Sequence, residues 1–271
     1  MKLKKSHFKN SLLWILAFVV LPLLCLSQTP ATTPAPDPGI TMYMYRRVPA
    51  DKREEFIKRE TTYWSEVARK ALSKGNITFW ALLEKVGGYD LENSSNFLFI
   101  NTYKNIDATG EIWSSAAEAF PNVAMDKMET NSISTTTSIF YLRASNWVQA
   151  ADAVPDKDFK YISMVYHNSS NPGQLIDLEK KHWEPFIKSA MDKKLTAQRG
   201  WGNARVLSPS GENIRFNTVS YDLYPTLKDA LVQTMDPKAV FPEAGLEEIN
   251  KLEVNRRGGV VYRIVKVVNA N

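Results

Sequence analysis

FIKRETTYWSEVARKALSK, residues 56–74, returns 119 positions later as LIDLEKKHWEPFIKSAMDK, residues 175–193. Phe56, Ile57, Glu60, Trp64, Val67, Ala68, Ala71, Leu72 and Lys74 stand opposite Leu175, Ile176, Glu179, Trp183, Phe186, Ile187, Ala190, Met191 and Lys193. Apolar residues at 56/57, 63/64, 67/68 and 71/72 keep the three-and-four spacing of an amphipathic helix, with Pro49 near its start and Gly75 just past its end. A match at a fixed period implies one unit built twice, each copy burying against its twin a face it cannot bury alone.

Working outward, Thr41–Tyr45 reads as a strand, and Ile77–Val86 and Asn96–Lys104 as a hairpin around Gly87, Gly88, Asn93 and Ser94. Ile106–Phe120 reads as a helix stopped by Pro121, and Thr135–Arg143 as a closing strand. The second half repeats the order. Its strands are Lys160–His167, Gln198–Leu207, Ile214–Tyr221 and Val260–Val268, with a helix from Pro172 to Lys194 and helical segments between Pro225 and Leu252. Trp80 aligns with Trp201 after a two-residue insertion, and Tyr103 with Tyr221. The units are therefore 41–149 and 159–271, joined by a connector over 150–158.

This doubled βαββαβ order, with Glu and Trp four apart in each long helix (Glu60 with Trp64, Glu179 with Trp183), resembles the ferredoxin-like dimeric α/β-barrel superfamily. That superfamily includes antibiotic-biosynthesis-type monooxygenases, haem-degrading and chlorite-dismutase-like proteins, and EthD-like and NIPSNAP-like proteins. The resemblance implies an α+β chain in which two tandem ferredoxin-like repeats close into one pseudo-dimeric α/β barrel around a small, partly aromatic or anionic molecule. It leaves open a cofactor-independent oxygenase or isomerase, a haem-binding protein, and a structural envelope protein. It carries no catalytic motif over, and fold alone does not transfer function.

The ends and the composition narrow the classes. Lys2, Lys4, Lys5 and Lys9 precede an apolar stretch from Leu12 to Leu24, the pattern of an export signal over residues 1–27 with a cut after Ser27. The expected location is periplasmic or extracellular; lipidation of Cys25 is the alternative, disfavoured because Leu24 is not small. Residues 28–40, rich in Pro and Thr, read as a spacer. The stretch is too short to span a bilayer as a helix, and no later run replaces it. Without those four lysines the net charge of +5 falls to +1, and no basic cluster suits nucleic acid. Cys25 is the single cysteine, so the rest of the chain can build no disulfide or thiolate metal site. A small-molecule ligand remains the expected partner, with a further homo-oligomer allowed by the fold.

Candidate site residues fall into three groups. Glu60 and Glu179 lie on apolar helix stripes, where burial raises a carboxyl pKa and readies it for proton transfer. His167 and His182 are the histidines beyond the export signal; the resemblance implies a haem ligand as one role for either, but neither has a metal-binding spacing, and the expectation is no metal and no resident cofactor. On the third strands, Phe97, Phe99, Asn101 and Tyr103 align with Arg215, Asn217, Val219 and Tyr221. If that face looks inward, Arg215 and Asn217, with Arg199, Arg205 and His167, would bind an anion or carbonyl against Trp201 and Tyr221, placing the site in the second half. Arg256, Arg257, Gly258 and Gly259 read as a charged turn.

Overall fold

The computed structural model describes residues 39–86, 94–104, 106–114, 116–211 and 215–269. The expected export signal, nearly all of the spacer, and the turn residues Gly87, Gly88 and Asn93 lie outside them. The strands are β1 (Ile40–Arg47), β2 (Ile77–Lys85), β3 (Phe97–Tyr103), β4 (Thr135–Gln149), β5 (Tyr161–Ser169), β6 (Gly200–Ser208), β7 (Thr218–Tyr224) and β8 (Glu253–Asn269). They close into one antiparallel barrel in the order β1-β3-β2-β8-β5-β7-β6-β4. Within it the first four strands run β4-β1-β3-β2 and the last four β8-β5-β7-β6, meeting at β2–β8 and β4–β6. Closure satisfies every strand edge, and alternation gives each strand one row facing the lumen and one facing outward.

Tyr43, Tyr45, Ala81, Leu83, Leu98, Leu142, Ile162, Met164, Tyr166, Ala204, Phe216, Val219, Leu223 and Tyr262 form the inner core. The outward rows pack under helices. In the first half Trp80, Leu82, Phe97, Phe99 and Tyr103 meet Phe56, Ala68 and Ala71; in the second Trp201 meets Ile187, Ala190 and Met191. Asn171 accepts a hydrogen bond from the Gln174 amide at 3.1 Å, and Pro172 follows it, so the second long helix starts with a side-chain cap and a pre-set φ. Gly75, at φ 75°, ends the first, a position where a side chain would be strained.

Each long helix departs from the regular period. Arg53–Arg59 and Ser65–Ser73 are joined by a π turn over Glu60–Trp64, and Pro172–Leu178 and Glu184–Asp192 by one over Glu179–Trp183. A π turn adds a residue to one turn and rotates the phase. Phe56, Val67, Ala68 and Ala71 are therefore fully buried while Trp64 and Trp183 are only half-buried.

The strand register also differs from the sequence alignment. Tyr103 pairs with Ile40 and Tyr224 with Tyr161, so Tyr224, not Tyr221, is the counterpart of Tyr103. Phe97, Phe99 and Asn101 then correspond to Thr218, Ser220 and Asp222. The alignment was displaced by three residues, and an odd displacement exchanges the two faces of a strand. Residues 144–149 continue β4, and Arg256–Gly259 lie within β8 rather than in a turn before it.

Because β2 and β4 pair across to β8 and β6, residues 28–152 expressed alone would leave two strand edges and an apolar inner face open. Dimerisation or aggregation is the expected result in sedimentation; a well-folded monomer would contradict the closure described.

Candidate functional site

The outward row of β1 reads Met42, Met44, Arg46, and that of β3 includes Phe99 and Asn101. Above them lie Glu60 and Trp64 of the π turn, Trp113, and Thr130 and Asn131 from the segment leading into β4. Together with Trp80 these residues enclose a cavity of about 240 Å³. Trp64 and Trp113 meet edge to face with ring centroids 6.3 Å apart, and Trp80 lies 6.1 Å from Phe99. The Trp113 indole donates to the Tyr103 hydroxyl at 3.1 Å, and the Trp64 indole to the Met128 carbonyl at 2.8 Å, so the aromatic walls are fixed in place.

The polar groups are few and buried. Glu60 is 4 % exposed and accepts a hydrogen bond from the Thr130 hydroxyl at 2.7 Å. Burial pushes its carboxyl up to about 7, against the lowering effects of the Thr130 bond and the Arg46 charge. Arg46 is itself buried. Its Nη2 donates to the Asn131 Oδ1 at 3.0 Å, to the Thr130 carbonyl at 3.4 Å and to the Ser134 hydroxyl. Burial lowers its pKa, opposed by Glu60 and Glu129, and it remains a cation. Among the described residues, Arg46 Nε and Asn101 Oδ1 are buried without a hydrogen-bond partner. The cavity thus offers one donor, one acceptor and one carboxyl near neutrality inside an aromatic wall, the composition of a site that orients and deprotonates a small apolar molecule.

In the second half the equivalent positions carry hydrogen-bonded polar side chains. Glu179 is 6 % exposed and accepts from Asn203 Nδ2 at 2.6 Å and from the Ser220 hydroxyl at 3.0 Å. His167 bonds to Ser220 Oγ through Nε2 at 3.1 Å and to Glu253 through Nδ1. Ser220, His167 and Glu253 have the connectivity of a serine triad, but Ser220 is 7 % exposed and its hydroxyl is held by Glu179. Burial raises the Glu179 carboxyl above its ordinary value despite bonds from Asn203 and Ser220 and the nearby His167.

The ligand set expected from the sequence is not gathered. Arg215 is exposed on the approach to β7, and Phe216 takes the inward place. Asn217 clamps the end of β5, accepting from the Ser169 amide at 2.9 Å and donating to its carbonyl at 2.7 Å. Arg199 is ion-paired with Asp152 at 2.7 Å and Asp158 at 3.4 Å. Arg205 is exposed, and Trp201 packs in the helix–sheet core. His182 lies against Gly245, whose absent Cβ would sit 2.4 Å from the imidazole. Tyr221 alone of that set lines a cavity, the barrel lumen. Sequence reasoning missed Arg46, Asn101, Trp113 and Thr130. The signal for the first two was present as single polar residues at alternate positions of MYMYR and FLFINTY.

Haem needs an open axial position beside a porphyrin-sized space. Both ring nitrogens of His167 are engaged, the His182 ring is covered by Gly245, and neither cavity is lined by a histidine, so these residues do not fit the group. Among the described residues no group of three or more His, Cys, Asp or Glu is placed to hold a metal ion, and no helix is long and apolar enough to cross a membrane.

No family model matches the sequence, and a comparison with curated proteins finds no sequence match. Solved structures do match in shape. A proposed monooxygenase from Lactobacillus acidophilus superposes with a TM-score of 0.55 at 11% identity, over 86% of this chain and 96% of the other. An anthrone oxidase-like protein gives 0.52 at 12%, over 87% and 95%, and a proposed monooxygenase from Fusobacterium nucleatum gives 0.52 at 10%, over 86% and 94%. The chain has the dimeric α/β-barrel fold.

Glu60 retains its proton in the native state up to about pH 7, against an ordinary 4.5. Between those values the native state binds more protons than the unfolded chain, so stability falls as pH rises and levels off above 7. The full effect is at most roughly 3 kcal/mol. Denaturant melts from pH 4.5 to 8 should show Glu60→Gln losing part of this fall, with Glu179 supplying a remaining slope. Identical slopes in the two proteins would mean that Glu60 is ionised throughout.

Proposed function

We propose that the protein binds a small, planar, mainly apolar molecule in the Glu60 cavity and that Glu60 removes a proton from it. The observation that carries this reading is a carboxyl with a pKa near 7 in an aromatic cavity that Arg46 and Asn101 also line, two residues with a buried polar atom, Arg46 Nε and Asn101 Oδ1, that has no hydrogen-bond partner among the described residues. A base with a pKa near ambient pH combines a sizeable deprotonated fraction with useful basicity. Arg46 is placed to stabilise negative charge on an oxygen as the proton leaves, and three tryptophans hold the ring plane. Proton removal from a carbon beside a carbonyl is the first step both of an isomerase, in which the protonated Glu60 would return the proton to another carbon, and of a cofactor-independent oxygenase. The fold relatives described as a proposed monooxygenase and as anthrone oxidase-like support that class.

We also read the chain as two ferredoxin-like halves in tandem, a reading supported by the helix match, the two π turns and the parallel strand orders β4-β1-β3-β2 and β8-β5-β7-β6. One half then keeps an open cavity while the other has closed its own with Asn203, Ser220 and His167. Export with cleavage after Ser27 completes the proposal, and Lys2–Lys9 with the apolar stretch after them support it.

Anthrone, with its acidic methylene beside an aromatic ketone, is the test molecule. It should quench the cavity tryptophans saturably, and the protein should speed hydrogen–deuterium exchange at that methylene, with a rate that rises with pH through about 7. Glu60→Gln should lower the exchange rate at least about a hundredfold, the scale of general-base catalysis. Equal exchange by the variant, or no binding of anthrone or its hydroxylated analogues, would reject the assignment.

A further inference from the structure

We propose that the barrel lumen is a second binding site, separate from the Glu60 cavity, for a neutral, mainly apolar molecule that carries a carbonyl oxygen. The lumen is packed unevenly. One part is filled by Tyr45, Phe140, Tyr166, Phe216 and Tyr262, with Phe140 and Phe216 4.5 Å apart between centroids and Tyr166 and Phe216 4.8 Å apart. Toward the opposite mouth the inward positions carry small residues: Ala81 on β2, Ala144 on β4, and Gly200, Gly202 and Ala204 in succession on β6. Ala81, Ala144 and Ala204 are among the residues that line a space of about 680 Å³ there, within the range of small-molecule sites.

The glycines have a specific consequence. A Cβ on Gly202 would stand 2.5 Å from the Tyr221 ring, and one on Gly200 would stand 2.9 Å from the Trp147 ring and 3.4 Å from Phe159. Their absence lets these aromatic rings lie against β6. Trp147 stacks on Tyr221 at 6.1 Å and 26° and meets Phe159 edge-on at 5.9 Å, yet it is 46 % exposed, as a residue at a mouth would be.

The polar groups give the ligand class. In the packed part, Tyr45 donates to Tyr166 at 3.0 Å, and Tyr166 and Tyr262 hydroxyls are 3.5 Å apart. Tyr43, 3 % exposed, and Tyr221 line the open part, and among the described residues neither hydroxyl has a hydrogen-bond partner. Burial raises both, Tyr221 to about 12 and Tyr43 well above its ordinary value, so both stay neutral donors. The charged residues of the lining are Asp156, Lys160 and Lys266, from the segment before β5 and from β8. A ketone or quinone oxygen accepts from a phenol at little desolvation cost.

The probe for the test is 6-propionyl-2-(dimethylamino)naphthalene, a neutral ketone whose emission moves to shorter wavelength in apolar surroundings and back when its carbonyl accepts a hydrogen bond. It should bind with blue-shifted emission. Ala204→Phe should weaken binding at least about tenfold, and so should Ala144→Leu, which sits at a half-buried position and keeps the test decisive should the first variant fail to fold. Tyr43→Phe should move the bound emission further to the blue. Trp113→Ala, in the wall of the other cavity, should leave the affinity unchanged. No binding, unchanged affinity in both filling variants, or loss of binding in Trp113→Ala would overturn the proposal, and none of these outcomes bears on proton transfer by Glu60.

Discussion

Closing eight strands into one barrel obliges every strand to give one row of side chains to the lumen and the other to the helices. The arrangement of both cavities follows from which residues occupy which row. On β1 the inward row of Tyr43 and Tyr45 helps to line the lumen, while the outward row of Met42, Met44 and Arg46 forms the floor beneath Glu60. On β5 the outward row is Ser163, Val165 and His167, and its polar residues join a network instead of lining a cavity. A slip of one residue in any strand would exchange the rows, exposing Arg46 to the lumen and the tyrosines to the helices, so the apolar pattern and the site are fixed by one register.

The two carboxyls at the start of the π turns solve one electrostatic problem in different ways. Both glutamates are buried at the first position of a π turn. Glu179 is held by an amide and a hydroxyl on β6 and β7, and His167 is close enough to favour its charge. Glu60 has the Thr130 hydroxyl and the more distant help of Arg46, and apolar side chains, Leu82 and Phe99, take the places of Asn203 and Ser220 in the first half. Glu60 thus has fewer hydrogen-bond donors to its charged form than Glu179 has.

Much of this fold was legible in the sequence, because helix period, strand alternation and the repeat all report on burial, and burial dominates folding. β1, β2 and β3 fall within two residues of their expected ends, and the long helices likewise. What the sequence hid was phase. The π turns leave no mark in a three-and-four pattern, so the spacing that groups Trp64 with Phe56 and Ala68 on one apolar stripe does not show that the tryptophan is the less buried of them. Trp80 with Trp201 and Tyr103 with Tyr224 both stand 121 residues apart, so the two strand pairs keep one spacing; matching Tyr103 to the nearby Tyr221 instead displaced the alignment by three residues and promoted Arg215 and Asn217 to a lumen face they do not share. Glu60 was recognisable because a carboxylate on an apolar stripe is conspicuous. Arg46 and Asn101 were not recognised, since a single polar residue at a strand position is ordinary until its neighbours across the sheet are known.

The unpartnered atoms in the first half set a thermodynamic condition on any purely structural account. A buried donor or acceptor without a partner costs about 1–3 kcal/mol, and the cavity holds two, Arg46 Nε and Asn101 Oδ1. The second half demonstrates that this scaffold tolerates a satisfied alternative at the same place, since Asn203, Ser220 and His167 leave Glu179 fully bonded. An apolar alternative is equally accessible to a strand already carrying Phe97 and Phe99. Net stabilities of domains are only about 5–15 kcal/mol, so two unmet hydrogen bonds beside a carboxyl held near neutrality are a substantial fraction of the total. Such a cost is retained where the groups bond to something other than the protein itself, whether ordered water or a ligand, and the aromatic rings around them favour the ligand.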